Sequence, residues 1–506
     1  MNDLGVAQVL RSNARLVLVE APAGFGKTFQ GCEYARDLLL DLFPGRLLVL
    51  THTHAACDAF DSRTTSLRRR VEVRTIDSLI TQIASAYHTC IGLPAAVPAW
   101  AFQQGEEGFN QVAIKVARLI TAAPIIATSL AERYPYVICD EHQDSSEAQH
   151  DIINSLYRAG AFVRVFADPM QAIYEKPNEM GAWNARWSKF QEMADEHVEL
   201  ETPHRWMNSA PELGEWVKEA RISLRDSREI NLRGSPPPGL FLFRADNTAQ
   251  HHERYMLSKQ DRNGIDSFVR GSSEVLVLAS ANGTVRGLRA FFNRGIPIWE
   301  GHTRNAMTRL FFNCHEHSGN QRAIASAFID FVQSVAVGFT DSGYGNVFRR
   351  EVEDCCTAKR RQKSSKIQNI ARLIVETPDH RGAASALAAL YELVSTDSQF
   401  QDIRLDLSRE FKESIRLAQY DNVDEGLSAL NLQRTLFRMP LPAKAISTVH
   451  KAKGLERERV VLLPCDRHHF AATEYKRRLL YVALSRATKS LAIVVPRQSP
   501  SPLFNL

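Results

Sequence analysis

Short apolar segments that alternate with helical stretches constrain this chain more than any other feature. "RLVLVE" (15–20), "RLLVLT" (46–51), "VEVRT" (71–75), "YVICDE" (136–141), "FVRVFAD" (162–168) and "HVELE" (197–201) read as buried parallel strands with helical patterns between them. That order predicts a doubly wound α/β domain over 1–230, with a small helical insertion at about 81–130. "RGSPPPG" (233–239) follows as a stiff linker. Strands resume at "LFLFR" (240–244), "EVLVLAS" (274–280) and "IPIWEG" (296–301), and again at "KAISTVH" (444–450), "RVVLLPC" (459–465) and "LAIVVP" (491–496). Residues 303–440 carry helical patterns and almost no strand signal. They read as a helical insertion within a second α/β domain made of 231–302 and 441–506.

Composition excludes some classes. With 506 residues, 44% apolar and 24% charged, the chain suits a globular protein of several domains. No apolar run reaches the roughly 18 residues of a membrane helix, and the N-terminus lacks the apolar core of a secretory signal. The eight cysteines include no C-x-x-C pair, which argues against a zinc ribbon or disulfide framework and for a reducing cytoplasm. "NCHEH" (313–317) crowds Cys314, His315 and His317 but has no second ligand cluster to match. Net charge is +5. Basic clusters at 66–70, 358–366 and 474–478 each read as a solvated face, and as a set they make phosphate contacts plausible.

Two motifs carry chemistry. "EAPAGFGKTFQ" (20–30) follows the first strand and opens a helix, the setting of a phosphate-binding loop. Gly24 and Gly26 let backbone N–H groups face phosphate oxygens, and the helix N-terminus adds partial positive charge. Lys27 would reach the β- and γ-phosphates, and Thr28 would hold Mg²⁺. Ala21 stands where the usual pattern has its first glycine. "CDEHQD" (139–144) ends a later strand in acids, at the edge where open α/β sheets place ligands. Asp140 suits Mg²⁺, and Glu141 suits a base that orients and deprotonates water. A solvated turn after a core strand is the bland alternative.

"APAGFGKT" with "DEHQD" resembles the superfamily I helicases of the UvrD/Rep type. Further motifs follow in that family's order: "LVLTHTHAA" (48–56), "RTIDSL" (74–79), "FADPMQAIY" (166–174), "PHRWMNS" (203–209), "STVHKAKGLERERVVLL" (447–463) and "RRLLYVALSRATKSL" (477–491). The resemblance covers both α/β domains and neither insertion. It implies two RecA-like parallel-sheet P-loop NTPase core domains with helical insertions, ATP and Mg²⁺ as cofactors, and 3′–5′ movement on single-stranded or partly duplex DNA. Lys27, Glu141, Gln171, Arg205 and Arg486 would then be catalytic, the two arginines closing on the γ-phosphate. Ala23, Gly24, Phe25, Gly26, Lys27, Thr28, Phe29, His204, Gly454 and Glu456 would contact nucleotide, and Thr28 and Asp140 the metal. Thr51, His52, Thr75, Tyr174 and His450 would contact DNA.

The chain departs from the family at several of these positions. His52 replaces a base-stacking Phe, Asp77 a common His, and His204 the Tyr that stacks on adenine. Gln8 is a candidate adenine reader. "EKPNEMGAW" stands where an aromatic-Arg-Gly-Ala stretch is usual, leaving Trp183 as a stacking surface or a core residue. Tyr174 and Tyr481 are likewise open between core and coupling roles.

The compact length resembles the helicase subunit of the Gabija anti-phage system, which works beside an OLD-family nuclease. A stand-alone repair helicase shares the same motifs. A DNA-activated ATPase sensor with little unwinding, and an ATPase indifferent to nucleic acid, are the readings from other classes.

Overall fold

The computed structural model describes residues 3–38, 45–67, 70–104, 107–249, 254–300, 304–423, 425–427, 429–430 and 441–506. The basic cluster at 66–70 and both ends of the 303–440 segment therefore lie partly outside the described residues. The chain forms two compact units, residues 1–296 with 443–506, and residues 297–442.

The first unit holds two parallel sheets. Strands β1 (Leu16–Glu20), β2 (Leu47–Thr51), β3 (Val71–Thr75), β4 (Tyr136–Cys139), β5 (Phe162–Ala167) and β6 (Glu196–Glu199) pair in the order β3-β2-β4-β5-β1-β6. All their pairings are parallel. β1 and β2 are buried at every residue, because helices cover both faces of such a sheet; hence the unbroken apolar runs. β5 lies between β1 and β4. The C-terminal ends of these three strands thus deliver the glycine-rich loop, Asp168 with Gln171, and Asp140 with Glu141 to one edge.

The helices Ile76–Ala86, Gly108–Ala122 and Ile125–Arg133 fill the gap between β3 and β4. Ile80, Val116 and Ile120 share one core with Leu16 and Leu48 of the sheet. The small insertion is therefore built onto the first sheet and has no separate core.

After the short β7 (Ile230–Asn231), the segment 232–239 has no helix or strand, as a Pro-rich linker requires. β8 (Leu240–Arg244) and β9 (Val275–Ala279) begin the second sheet. Residues 296–300 form no strand of it. Pro297 there has no N–H to give a ladder. The second unit, which contains the short antiparallel pair β10 (Ala336–Val337) and β11 (Arg404–Leu405), is helical. It has its own core around Phe328, Phe348, Ile374, Leu387 and Phe411. β12 (Lys444–Thr448), β13 (Arg457–Leu462) and β14 (Ala487–Val495) complete the second sheet in the order β12-β9-β13-β14-β8, all parallel. The terminal β15 (Phe504–Asn505) pairs with β7.

Glu456 immediately precedes β13, and Arg486 immediately precedes β14. The second sheet thus offers residues at the N-terminal ends of its strands to the C-terminal edge of the first. Among the described residues no single helix is long and apolar enough to cross a membrane.

Candidate active site

The loop after β1 needs glycine at two places. Gly24 and Gly26 have φ of 83° and 87°, which side chains rarely adopt. A Cβ on Gly24 would come within 2.8 Å of Arg205 Cβ, and one on Gly26 within 3.1 Å of His204 Cδ2. The 203–206 segment therefore lies directly on the loop, and Arg205 N donates to Gly24 O at 2.9 Å. Lys27 opens the helix Lys27–Leu38; its ammonium pairs with Glu141 and stands 3.6 Å from Asp140. Burial would weaken its charge, but the two acids outweigh that and hold its pKa above the ordinary value. Ala23 N donates to Tyr481 Oη at 2.9 Å, and Phe25 is buried. Thr28 is half-buried beside Lys27, whereas Phe29 is 55% exposed.

The acids occupy contrasting environments. Asp140 is 3% exposed, and its Oδ1 has no hydrogen-bond partner among the described residues. Burial raises its carboxyl above the usual range despite Lys27. A buried carboxylate oxygen without a partner fits a hard divalent cation, which takes oxygen ligands. Asp140 and the Thr28 hydroxyl would hold Mg²⁺ there, supplying charge neutralisation at the β- and γ-oxygens. Glu141 adopts φ 55°, a left-handed conformation that costs a non-glycine residue on the order of 1 kcal/mol. Its carboxylate accepts from Lys27 and from Gln143 Nε2. Burial pushes this carboxyl up, but the Lys27 and Lys453 charges prevail and hold it below the usual range. It is therefore an ionised group beside the phosphate loop.

Three residues brace this pair. Gln143 Oε1 accepts from Asp168 N at 3.0 Å, tying the end of β4 to the end of β5. Asp168, fully buried, accepts from Gln171 Nε2 at 2.9 Å and from Arg221 Nη2 at 3.1 Å. Lys453 Nζ donates to Asp144 Oδ1 at 2.5 Å and to Gln171 O at 2.7 Å. The resemblance implies that Gln143 and Asp144 link this edge to the γ-phosphate and DNA-coupling segments; for Lys453, only tertiary placement shows what it holds.

The second sheet closes the site. Arg486 is 2% exposed and donates to Val482 O at 2.9 Å, Ser485 Oγ at 2.7 Å and Gln171 Oε1 at 3.4 Å. Burial lowers its pKa to about 10, so it keeps its charge at neutral pH. Arg205 donates to Ser485 O and Glu456. Trp206 Nε1 donates to Ala487 O at 2.7 Å, fixing the same segment to the start of β14. Gly454 has φ 80° with open space on its Cα. His204 Nε2 bonds the Asp3 carboxylate, and Gln8 is exposed on the first helix. The Tyr481 ring is buried while its hydroxyl meets the loop, so it is a core residue that also contacts the loop.

The residues expected to grip nucleic acid are less open. Thr51 is fully buried and donates to Thr53 O at 3.0 Å, so its hydroxyl faces the interior in this conformation and not a strand. Thr75 caps the helix Ile76–Ala86, accepting from Ser78 N. His52 Nε2 lies 3.0 Å from Ser145 Oγ, and burial lowers its pKa to about 4, leaving a neutral ring. Asp77 accepts from Gln149 Nε2 at 2.7 Å, which turns its charge onto an amide. His450 Nε2 meets Tyr475 Oη at 2.6 Å. Tyr174 is 59% exposed, with Lys453 Nζ 4.8 Å from its ring centre. Trp183 is buried, donates to Gln143 O at 3.2 Å and carries the Arg478 guanidinium 4.5 Å over its ring. It is a buttress of the active site and offers no surface to a base.

Paired parallel sheets, a phosphate loop and an acid pair with converging arginines define a nucleotide-hydrolysing motor fold. Two family models match the chain: the UvrD/REP helicase N-terminal domain over residues 102–176 and the UvrD-like helicase C-terminal domain over residues 445–494. The first match contains Asp140, Glu141, Gln171 and Tyr174; the second contains His450, Gly454, Glu456 and Arg486. No curated protein matches the chain. These domains indicate DNA-dependent ATPase and helicase activity, and they support a UvrD/Rep-like superfamily I helicase.

Proposed function

We propose that the chain is a 3′–5′ single-strand motor whose ATP site is completed across two RecA-like cores. The observation that carries this is the contact set on the phosphate loop: Tyr481 on Ala23 N, Arg205 between Gly24 and Glu456, and Arg486 at Gln171. A γ-phosphate lying between Lys27 and Gln171 would meet Arg486 from the second sheet. Glu141 would take the proton of the attacking water, while Gln171 and the two arginines stabilise developing charge. A γ-phosphate would be a ligand shared by residues of both sheets, and its loss would remove that shared contact, so hydrolysis would be coupled to movement of one sheet against the other. Glu456 would bond the ribose and His204 would sit by the base. Mg²⁺ would rest on Thr28 and Asp140, and Tyr174, His52 and His450 would touch the strand. On this reading the cores are 1–230 and 231–302 with 441–506, and 303–440 is the insertion that tunes unwinding.

A translocation assay tests the motor. Displacement of a label from the 5′ end of a single strand, and not from the 3′ end, is expected with ATP. Hydrolysis without displacement would replace the motor with a DNA-activated sensor. As a finer part of the same proposal, the chain works in the cytoplasm with an OLD-family nuclease subunit, as in Gabija. Both helical insertions are short for a repair helicase, which supports that partner, and the eight cysteines, none of them in a disulfide, fit that compartment. A co-purifying nuclease is the expected result in the native host; a chain purified alone with full DNA repair activity would contradict it.

A further inference from the structure

His142 follows the proposed base and opens the turn His142–Asp144, and phosphate chemistry gives it no task. Yet it is 4% exposed and both ring nitrogens are engaged. Its Nε2 lies 3.0 Å from His150 Nδ1, and its Nδ1 lies 3.2 Å from Ser145 Oγ. Ser145 Oγ in turn lies 3.0 Å from His52 Nε2. Phe190 packs on both imidazoles, with its ring centroid 4.6 Å from that of His150 and 5.3 Å from that of His142. Arg186 donates to Ser145 O at 3.1 Å. Four polar side chains thus form one continuous hydrogen-bonded line from the loop after β2 to the helix Glu147–Arg158.

The line has a fixed end and a free end. His150 is anchored on a helix with a complete N-terminal capping box, Ser146 with Gln149. His52 is on a loop after β2, half-buried. The turn His142–Asp144 hangs between them and carries Gln143, which holds Glu141 and Asp168, and Asp144, which holds Lys453. Burial lowers the pKa of His52 and His150, so each of these rings offers one donor and one acceptor to the line. Every donor along such a line must meet an acceptor. A change of partner at His52 therefore forces a change of direction or spacing at Ser145 and His142.

Resting on the proposed role of His52 as a strand contact, we infer that His142, Ser145 and His150 are positioning residues. They transmit occupancy of the strand-binding loop to the carboxylate of Glu141. They touch neither nucleotide nor strand, and they act only when the strand is bound, by shifting where Gln143 holds the base.

Steady-state ATP hydrolysis by the full chain, with and without a single-stranded oligonucleotide, tests this in His150→Phe, His150→Asn and Ser145→Ala. His150→Phe removes the polar atom opposite His142 Nε2, while Asn restores one near Nδ1. Without oligonucleotide, His150→Phe and Ser145→Ala should hydrolyse ATP within about twofold of the parent chain, and at saturating oligonucleotide they should lose about fivefold or more in kcat, with KM for ATP and oligonucleotide affinity moving less than about threefold. His150→Asn should recover at least about half of the stimulation. Stimulation unchanged in His150→Phe, equal losses with and without strand, or an Asn variant no better than Phe would overturn the inference. If His150→Phe does not fold, Ser145→Ala decides alone: full stimulation there overturns the inference. A parent chain that binds the strand yet shows no stimulation would overturn the functional reading, and this inference with it.

Discussion

The phosphate side and the proposed strand side of the candidate site are built on opposite principles. On the phosphate side, polar groups are held ready for a ligand. Asp140 Oδ1 is buried without a hydrogen-bond partner among the described residues, Glu141 is held in a left-handed backbone, and the loop glycines leave no room for side chains. On the strand side, groups are satisfied within the protein. His52 bonds Ser145, Asp77 takes the Gln149 amide, Thr75 caps a helix and His450 meets Tyr475. On the proposed reading the first side would take triphosphate, and the second would exchange internal partners before it held a strand. That exchange would give the protein a way to sense nucleic acid.

Substitutions on the two sides should differ in kind. The largest effect is expected from Glu141→Gln, which should lower kcat by about 10⁴-fold while ATP still binds, because an amide cannot take the water's proton. Normal turnover would remove Glu141 from the base role. Arg486→Ala should lower kcat by about 10³-fold with little change in nucleotide affinity, since the guanidinium acts on charge that develops during transfer. An affinity loss of the same size would make Arg486 a ground-state contact. Lys27→Ala should weaken nucleotide binding itself by about 10²-fold, read by titration calorimetry, as a buried charge-assisted contact is lost. Unchanged affinity would contradict the phosphate-loop reading.

The strand side should show a smaller, pH-dependent effect. His150 faces His142, Arg186 and Phe190, and burial lowers its pKa to about 4. The unfolded chain accepts a proton near pH 6.5 that the native chain refuses until about 4, so this residue's contribution to stability falls as pH drops through that window. Unfolding midpoints of the parent chain and His150→Phe should converge as pH falls across it, by about 1.4 kcal/mol per pH unit at most. Parallel curves would mean that His150 titrates normally.

Much of the fold is legible because continuous apolar runs leave buried parallel strands few alternatives. The exception, "IPIWEG", is short and contains Pro297. On the phosphate side, Lys27, Asp140 and Glu141 stand out because triphosphate chemistry restricts residue type and spacing. Their braces do not. Asp168, Gln143 and Lys453 matter through contacts between strands far apart in sequence. Trp183 reads equally as a stacking surface or as core until Arg478 is seen over its ring. Thr51 illustrates the converse, since the family resemblance suggests a backbone contact while burial turns the hydroxyl inward. His142 has no meaning in the linear motif, and acquires one only when Ser145 and His150 are placed on either side of it.

The measurement that most directly tests the account is the rate of ATP hydrolysis at saturating Mg²⁺ and ATP, with and without a single-stranded oligonucleotide. Exchange of the strand side's internal partners should raise the rate by about tenfold or more. A rate indifferent to the strand would contradict the coupling between the two sides.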